Sequence, residues 1–284
     1  MTLTNEFLSV ISDFFEYIKM DFALRALVAG LLLSVCTAIL GVCLVPKRYA
    51  MIGDGLSHVG FGALAVASAL GAAPLAVALP VVIIASFILL KLKENGKIKG
   101  DSAIAMLSAG ALAVGVMIVS LTGSNTDLNG YMFGSILSVT KSDFIASVIL
   151  FPIIIVVFIL FYAQIFSFSY DERFARASGM NTGFYNALMS VLVAVTVVMG
   201  MRLMGTLLIS ALVIFPAISA MRIFKSFFAC VVSSSVISVI SFLLGMFLSF
   251  AFSAPIGASI VLCNVFSFLI CSAVRLILRK KSRA

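Results

Sequence analysis

The sequence predicts an all-α, polytopic membrane protein, and three observations carry that prediction. Of 284 residues 63% are hydrophobic and only 11% are charged, with a mean hydropathy of +1.25. A soluble domain carries about 45–50% apolar and about 25% charged residues, so no water-soluble fold could cover this chain. The apolar residues also fall into runs near the ~20 residues that a spanning helix needs. Soluble enzymes, nucleic-acid binders and secreted disulfide scaffolds are thereby excluded as principal readings.

The elements follow in order. Residues 1–20 contain Glu6, Asp13, Glu16 and Lys19 and lack an uninterrupted apolar stretch, so they do not read as a cleavable signal peptide. Phe7, Leu8, Ile11, Phe14, Phe15 and Ile18 recur near helical spacing through Asn5–Met20, which is expected to lie as an amphipathic helix at the membrane interface. The division expected is an amphipathic segment over 1–20 and a transmembrane domain over 21–284. Candidate spans are 24–45, 50–72, 74–92, 102–122, 144–166, 184–202, 204–221, 226–250 and 256–278. Gly and Pro interrupt some of them, which sets the expected count at eight to nine. Tyr131–Val139 is too short to span and is expected as a short helix dipping into the outer surface. Small residues recur every four positions in the first span (Ala26, Gly30, Ser34, Ala38) and again in the second (Ala63, Ala67, Gly71), a spacing that lets helices approach closely.

Charge sets the orientation. The net charge is +8, and 15 of the 19 basic residues fall on one side if the first span runs inward. These are Lys47 and Arg48, then Lys91, Lys93, Lys97 and Lys99, then Arg173 and Arg176, then Arg222 and Lys225, and the tail Arg275, Arg279, Lys280, Lys281 and Arg283. Lys19, Arg25, Lys141 and Arg202 fall on the other side. The positive-inside rule then expects a multi-pass protein with its C-terminus in the cytoplasm. The basic excess is a topology signal, so no nucleic-acid partner is implied. The five cysteines lie within apolar runs without a C-x-x-C pair and read as small buried hydrophobes.

The chemistry concentrates on one segment. Of eleven acidic residues, only Asp54 occupies a candidate span, and the one histidine of the chain, His58, follows four residues later. Residues at i and i+4 share a helix face. An Asp at a helix centre costs about 2.5–3.5 kcal/mol on insertion scales, so an intramembrane carboxylate is a functional candidate. A helix cap after Pro46-Lys47-Arg48 is the plain alternative. Carboxylate plus imidazole suits zinc, manganese or iron(II). One of each cannot close a tetrahedral site, so a metal site here implies a homodimer supplying two of each. Gly53, Gly55, Gly60 and Gly62 are expected to keep this helix slim or unwound beside a pathway, with Ser57 as a weak oxygen donor.

A second feature is Asp171-Glu172-Arg173-Phe174-Ala175-Arg176-Ala177-Ser178-Gly179, whose acidic start and terminal Gly describe a short capped helix parallel to the membrane, plain linker or dock for a cytoplasmic partner. The chain holds no G-x-x-x-x-G-K-[ST] loop, no H-E-x-x-H and no G-x-S-x-G, so it is expected to hydrolyse neither nucleotide nor peptide itself.

Four motifs together resemble the zinc/manganese-uptake ABC transporter permeases: Met51-Ile52-Gly53-Asp54-Gly55-Leu56-Ser57-His58; Tyr131-Met132-Phe133-Gly134-Ser135-Ile136-Leu137; the run Gly205 to Ala217 with Pro216; and Pro255 to Leu262. The resemblance covers nearly the whole chain except Asn5–Met20. It implies a permease in the lipid bilayer of a prokaryotic plasma membrane that dimerises, binds two copies of an ABC ATPase inside and receives metal from an extracytoplasmic solute-binding protein. It implies Asp54 and His58 as metal ligands, with Zn2+ (or Mn2+) as substrate and no permanent cofactor. Asp171, Glu172, Phe174, Ala175 and Gly179 then fall in the ATPase-coupling loop. Gly53, Gly55, Ser57, Gly205 and Pro216 line the pathway helices, Pro216 as a helix break. Competing expectations are an ion-coupled secondary transporter using Asp54 and His58 as a proton relay, and an ABC permease for a metal chelate such as a siderophore.

Overall fold

Eleven long or short helices follow a helical stretch over 12–18 in the computed structural model, which describes residues 12–47, 49, 51–94, 100–122 and 140–281. They are α1 (Asp21–Leu44), α2 (Ile52–Ala69), α3 (Pro74–Glu94), α4 (Gly100–Thr122), α5 (Lys141–Leu160), α6 (Tyr162–Tyr170), α7 (Glu172–Ala177), α8 (Thr182–Met204), α9 (Thr206–Ile223), α10 (Phe227–Phe252) and α11 (Ile256–Lys281). The expected outer element Tyr131–Val139 and the start of the expected N-terminal helix lie outside the described residues.

Among the described residues, seven helices are long and apolar enough to cross a membrane: α1, α4, α5, α8, α9, α10 and α11. The expectation is eight to nine, and the other two candidates, α2 and α3, also form helices. Asp54 and His58 dilute the 18 residues of α2, while α3 runs through 21 residues, Pro74–Glu94, with Pro80 inside it. The span expected over 144–166 is also divided, since Phe161 leaves helical geometry between α5 and α6.

Burial ranks the helices. Within the apolar windows, 72% of α8 and 67% of α1 are buried, against 17% of α11 and 11% of α4. The first two therefore form the centre with α9, and the last two present apolar side chains such as Met117, Leu121, Phe266 and Ile270 outward. Association inside a bilayer gains little from apolar burial, so close packing and interhelical hydrogen bonds must hold the bundle. The first small-residue stripe does this on α1. Gly30 lies beneath the Phe242 ring of α10, and Ser234 Oγ donates to the Ala38 carbonyl at 3.3 Å. Ser241 and Ser267 join α10 to α11 at 3.0 Å. Ala63 and Ala67 of the second stripe are buried, but Gly71 falls past the end of α2.

Two basic residues expected on the same side, Lys47 and Lys225, lie at one end of the bundle. Lys47 Nζ stands 3.7 Å from Glu172 Oε2, and a cleft of about 440 Å3 is lined by Pro46, Tyr170, Phe224 and Lys225. The ends of α1, α6 and α9 and all of α7 therefore share one end of the bundle. At the other end of α8, Arg202 Nη2 stands 3.2 Å from Asp143 Oδ2. Over 12–18, Phe14 packs edge-on against Phe247 at 5.2 Å and Tyr17 against Phe250 at 5.0 Å, which seats this stretch on the last turns of α10.

Candidate functional site

Helix α2 starts late, and that sets the depth of the site. Gly41, near the end of α1, lies against the Val213 carbonyl, and a Cβ on Gly53 would stand 3.8 Å from Val213 Cγ2. Val213 is in the middle of α9 (Thr206–Ile223), so the first turn of α2 begins inside the bundle and not at its rim. The residue at the N-cap is Met51, without a side-chain cap bond, so Asp54 is not the helix cap. It sits in the first turn, where the exposed N–H groups and helix dipole favour a carboxylate.

His58 Nε2 lies 3.8 Å from Asp54 Oδ1, one turn along the same face, and the two side chains are 20% and 35% exposed. Both are reachable without lying open to the surface. A helix neighbour adds a third group that sequence reasoning missed. Ser210 Oγ of α9 donates to Asp54 Oδ1 at 3.3 Å, across 156 residues of sequence. The only sequence signal was a hydroxyl within the apolar Gly205–Ala217 run, and nothing local aims it at Asp54.

The remaining expected residues divide. Ser57 is fully buried and its hydroxyl donates to the Asp54 carbonyl at 2.7 Å, so it is spent on its own helix. Gly53 and Gly55 are buried in a regular helix, which corrects the expected unwinding. Gly55 is small because Ile104 of α4 occupies the space a Cβ would take. Gly205 does break the chain: at φ +87° it ends α8 and starts α9, a conformation that L side chains rarely adopt. Pro216 does not. Helix α9 runs through it without interruption, so the break expected there lies eleven residues earlier at Gly205.

The expected capped helix at 171–179 is α7. Asp171 Oδ1 accepts from the N–H groups of Arg173 (2.9 Å) and Phe174 (3.0 Å). At the other end the N–H of Gly179 reaches Arg176 O and that of Met180 reaches Ala175 O, with Gly179 at φ +82°. This paired bonding satisfies the terminal carbonyls and stops the helix within six residues. Ala175 is fully buried beneath it, and Phe174 is 65% exposed. Glu172 faces the bundle, accepting from Asn186 Nδ2 at 3.4 Å and pairing with Lys47. Among the described residues no three His, Cys, Asp or Glu side chains cluster to hold a metal, so Asp54 and His58 have no third such donor beside them there.

The model of the ABC 3 transport family matches residues 19–275. The chain belongs to the ABC 3 transport family. Among relatives, it is 30% identical over 268 residues to the manganese import system permease protein ScaB of Streptococcus gordonii, with 94% of each chain covered. It is 28% identical over 246 residues to the high-affinity zinc uptake system membrane protein ZnuB of Haemophilus influenzae, covering 86% of this chain and 94% of that one. Its fold matches a chain of PsaBC from Streptococcus pneumoniae in complex with Fab at a TM-score of 0.82 and 30% identity, over 92% of this chain and 95% of that one. This ABC 3 chain is accordingly an all-helical, multi-pass membrane permease. The family match starts after the 12–18 stretch, which is also the part without a counterpart in the sequence motifs.

Proposed function

We propose that the chain is the membrane-spanning subunit of an ATP-driven importer of divalent transition-metal ions, with zinc the favoured substrate and manganese next. The observation that carries this reading is the Asp54–His58 pair, half-buried on one face of α2 against the middle of α9. Relatives named for manganese and zinc uptake support the metal class. The preference for zinc rests on chemistry alone: imidazole and carboxylate admit both ions, and divalent affinity rises toward zinc.

The mechanism follows from incompleteness. Two donors from each of two copies make a four-donor set, suited to tetrahedral zinc yet dependent on the dimer. An ion handed over by an extracytoplasmic binding protein meets Asp54 and His58 of both copies. Two ABC ATPases on the cytoplasmic side close on ATP and push α7, whose exposed Phe174 is the docking side chain. Glu172 carries that push inward, because its carboxylate meets Lys47 in the turn that leads into α2. The site then opens inward and the ion leaves. The 12–18 stretch lies at the interface as an amphipathic flank, and the C-terminus faces the cytoplasm.

The test is accumulation of zinc, manganese and iron by the permease with its cognate ATPase and binding protein in liposomes. Zinc uptake that requires ATP is expected. Metal uptake by the permease without its ATPase would make it a secondary carrier. Phe174→Asp should separate docking from metal binding. An exposed aromatic anchor is worth about 2 kcal/mol at an interface, so ATPase capture in a pull-down should weaken about 30-fold while metal binding persists. Undiminished capture would remove α7 from the docking role.

A further inference from the structure

From the geometry of α9 against α2 we infer that Ser210 is a positioning residue of the metal site, holding the Asp54 carboxylate in place for the ion. The inference rests on the reading of Asp54 as a ligand.

A serine in a membrane helix ordinarily returns its hydroxyl to the carbonyl one turn back in the same helix. This chain does so repeatedly: Ser34 to Gly30 O, Ser219 to Phe215 O, Ser235 to Val231 O and Ser272 to Phe268 O. Ser210 departs from that habit. Its hydroxyl crosses to another helix and donates to Asp54 Oδ1 at 3.3 Å. Gly53 faces the same stretch of α9, since a Cβ there would stand at ordinary contact distance, 3.9 Å, from the Ser210 Cα. The helix break at Gly205 fixes where α9 begins and so sets Ser210 at the level of Asp54.

The chemical consequence is division of labour on one carboxylate. Oδ1 receives the Ser210 hydroxyl and faces His58 Nε2, which leaves the Oδ2 lone pairs for a cation. A ligating carboxylate fixed by an outer hydrogen bond binds its metal more tightly, and removing such a partner typically costs about 10–100-fold in affinity.

The experiment compares Ser210→Ala, Ser210→Thr and Asp54→Ala in the permease–ATPase complex, reading Zn2+ binding by equilibrium dialysis without ATP and the KM and maximal rate of Zn2+ uptake. Ser210→Ala is expected to weaken Zn2+ binding and raise KM about tenfold with little change in maximal rate, and Ser210→Thr, which keeps the hydroxyl, to restore both. Ser210→Ala with unaltered binding and KM would overturn the inference, as would a threonine variant as defective as alanine. Loss of binding in Asp54→Ala beside a normal Ser210→Ala leaves the metal site standing and removes only the role of Ser210. Normal binding in Asp54→Ala would remove the site itself.

Discussion

Alanine at either Asp54 or His58 is expected to end metal accumulation while the permease still assembles with its ATPase. The argument is one of donors. Each copy offers a carboxylate and an imidazole, and among the described residues no third His, Cys, Asp or Glu joins them. A single replacement acts twice in a dimer and leaves two donors for an ion that favours four. Loss of groups that merely support a ligand costs about 10–100-fold, so loss of the ligand pair should reduce uptake by at least about 100-fold. Neither side chain fills space that the fold needs, since both are partly exposed and α2 is held by Gly55 and Leu56 on other faces. Uptake of radiolabelled zinc, read beside pull-down of the ATPase, checks this. Intact uptake in both variants would mean that the ion, or a chelate carrying it, passes without these residues.

Asp143→Ala is expected to destabilise the whole bundle by about 3–5 kcal/mol, because it strands a guanidinium in the protein. Asp143 is 4% exposed and Arg202 19%, and their atoms stand 3.2 Å apart. Thr140 completes the arrangement by donating to Asp143 Oδ2 at 2.7 Å and accepting the Asp143 N–H at 3.1 Å. The pair ties the start of α5 to the last turn of α8, just before the break at Gly205. In detergent the unfolding midpoint should fall on the order of 10 °C. The double replacement Asp143→Leu with Arg202→Met should recover most of that, since apolar groups of similar volume often replace a buried ion pair without loss. A double variant as unstable as the single one would show that the cost lies in packing and not in the unpaired charge.

The Asp143–Arg202 pair also marks what the sequence leaves illegible. Both residues are visible there as edge charges, and the 59 positions between them give no reason to join them. Asp54 and His58 are legible because they sit four apart in a helix, so their shared face follows from helical geometry alone. Helix α7 is legible for the same reason: Asp171, Phe174 and Gly179 act within one short segment. Pro216 misleads because a proline removes only one backbone donor, and a helix packed on several sides continues through it. Ser57 misleads in a different way, since its residue type promises a donor and its neighbour's carbonyl takes the hydroxyl.

The sequence by itself determined the class and singled out the residues on which a site could be built. A chain this apolar must span a membrane in helices, because backbone groups find no water in lipid, and its few charges had to mark edges or a site. Only the tertiary structure decided the depth of Asp54, the partner on Ser210, the clamp on Arg202 and the true break at Gly205. Those features join residues far apart in the chain, and their positions follow from how closely helices approach, which periodicity does not encode.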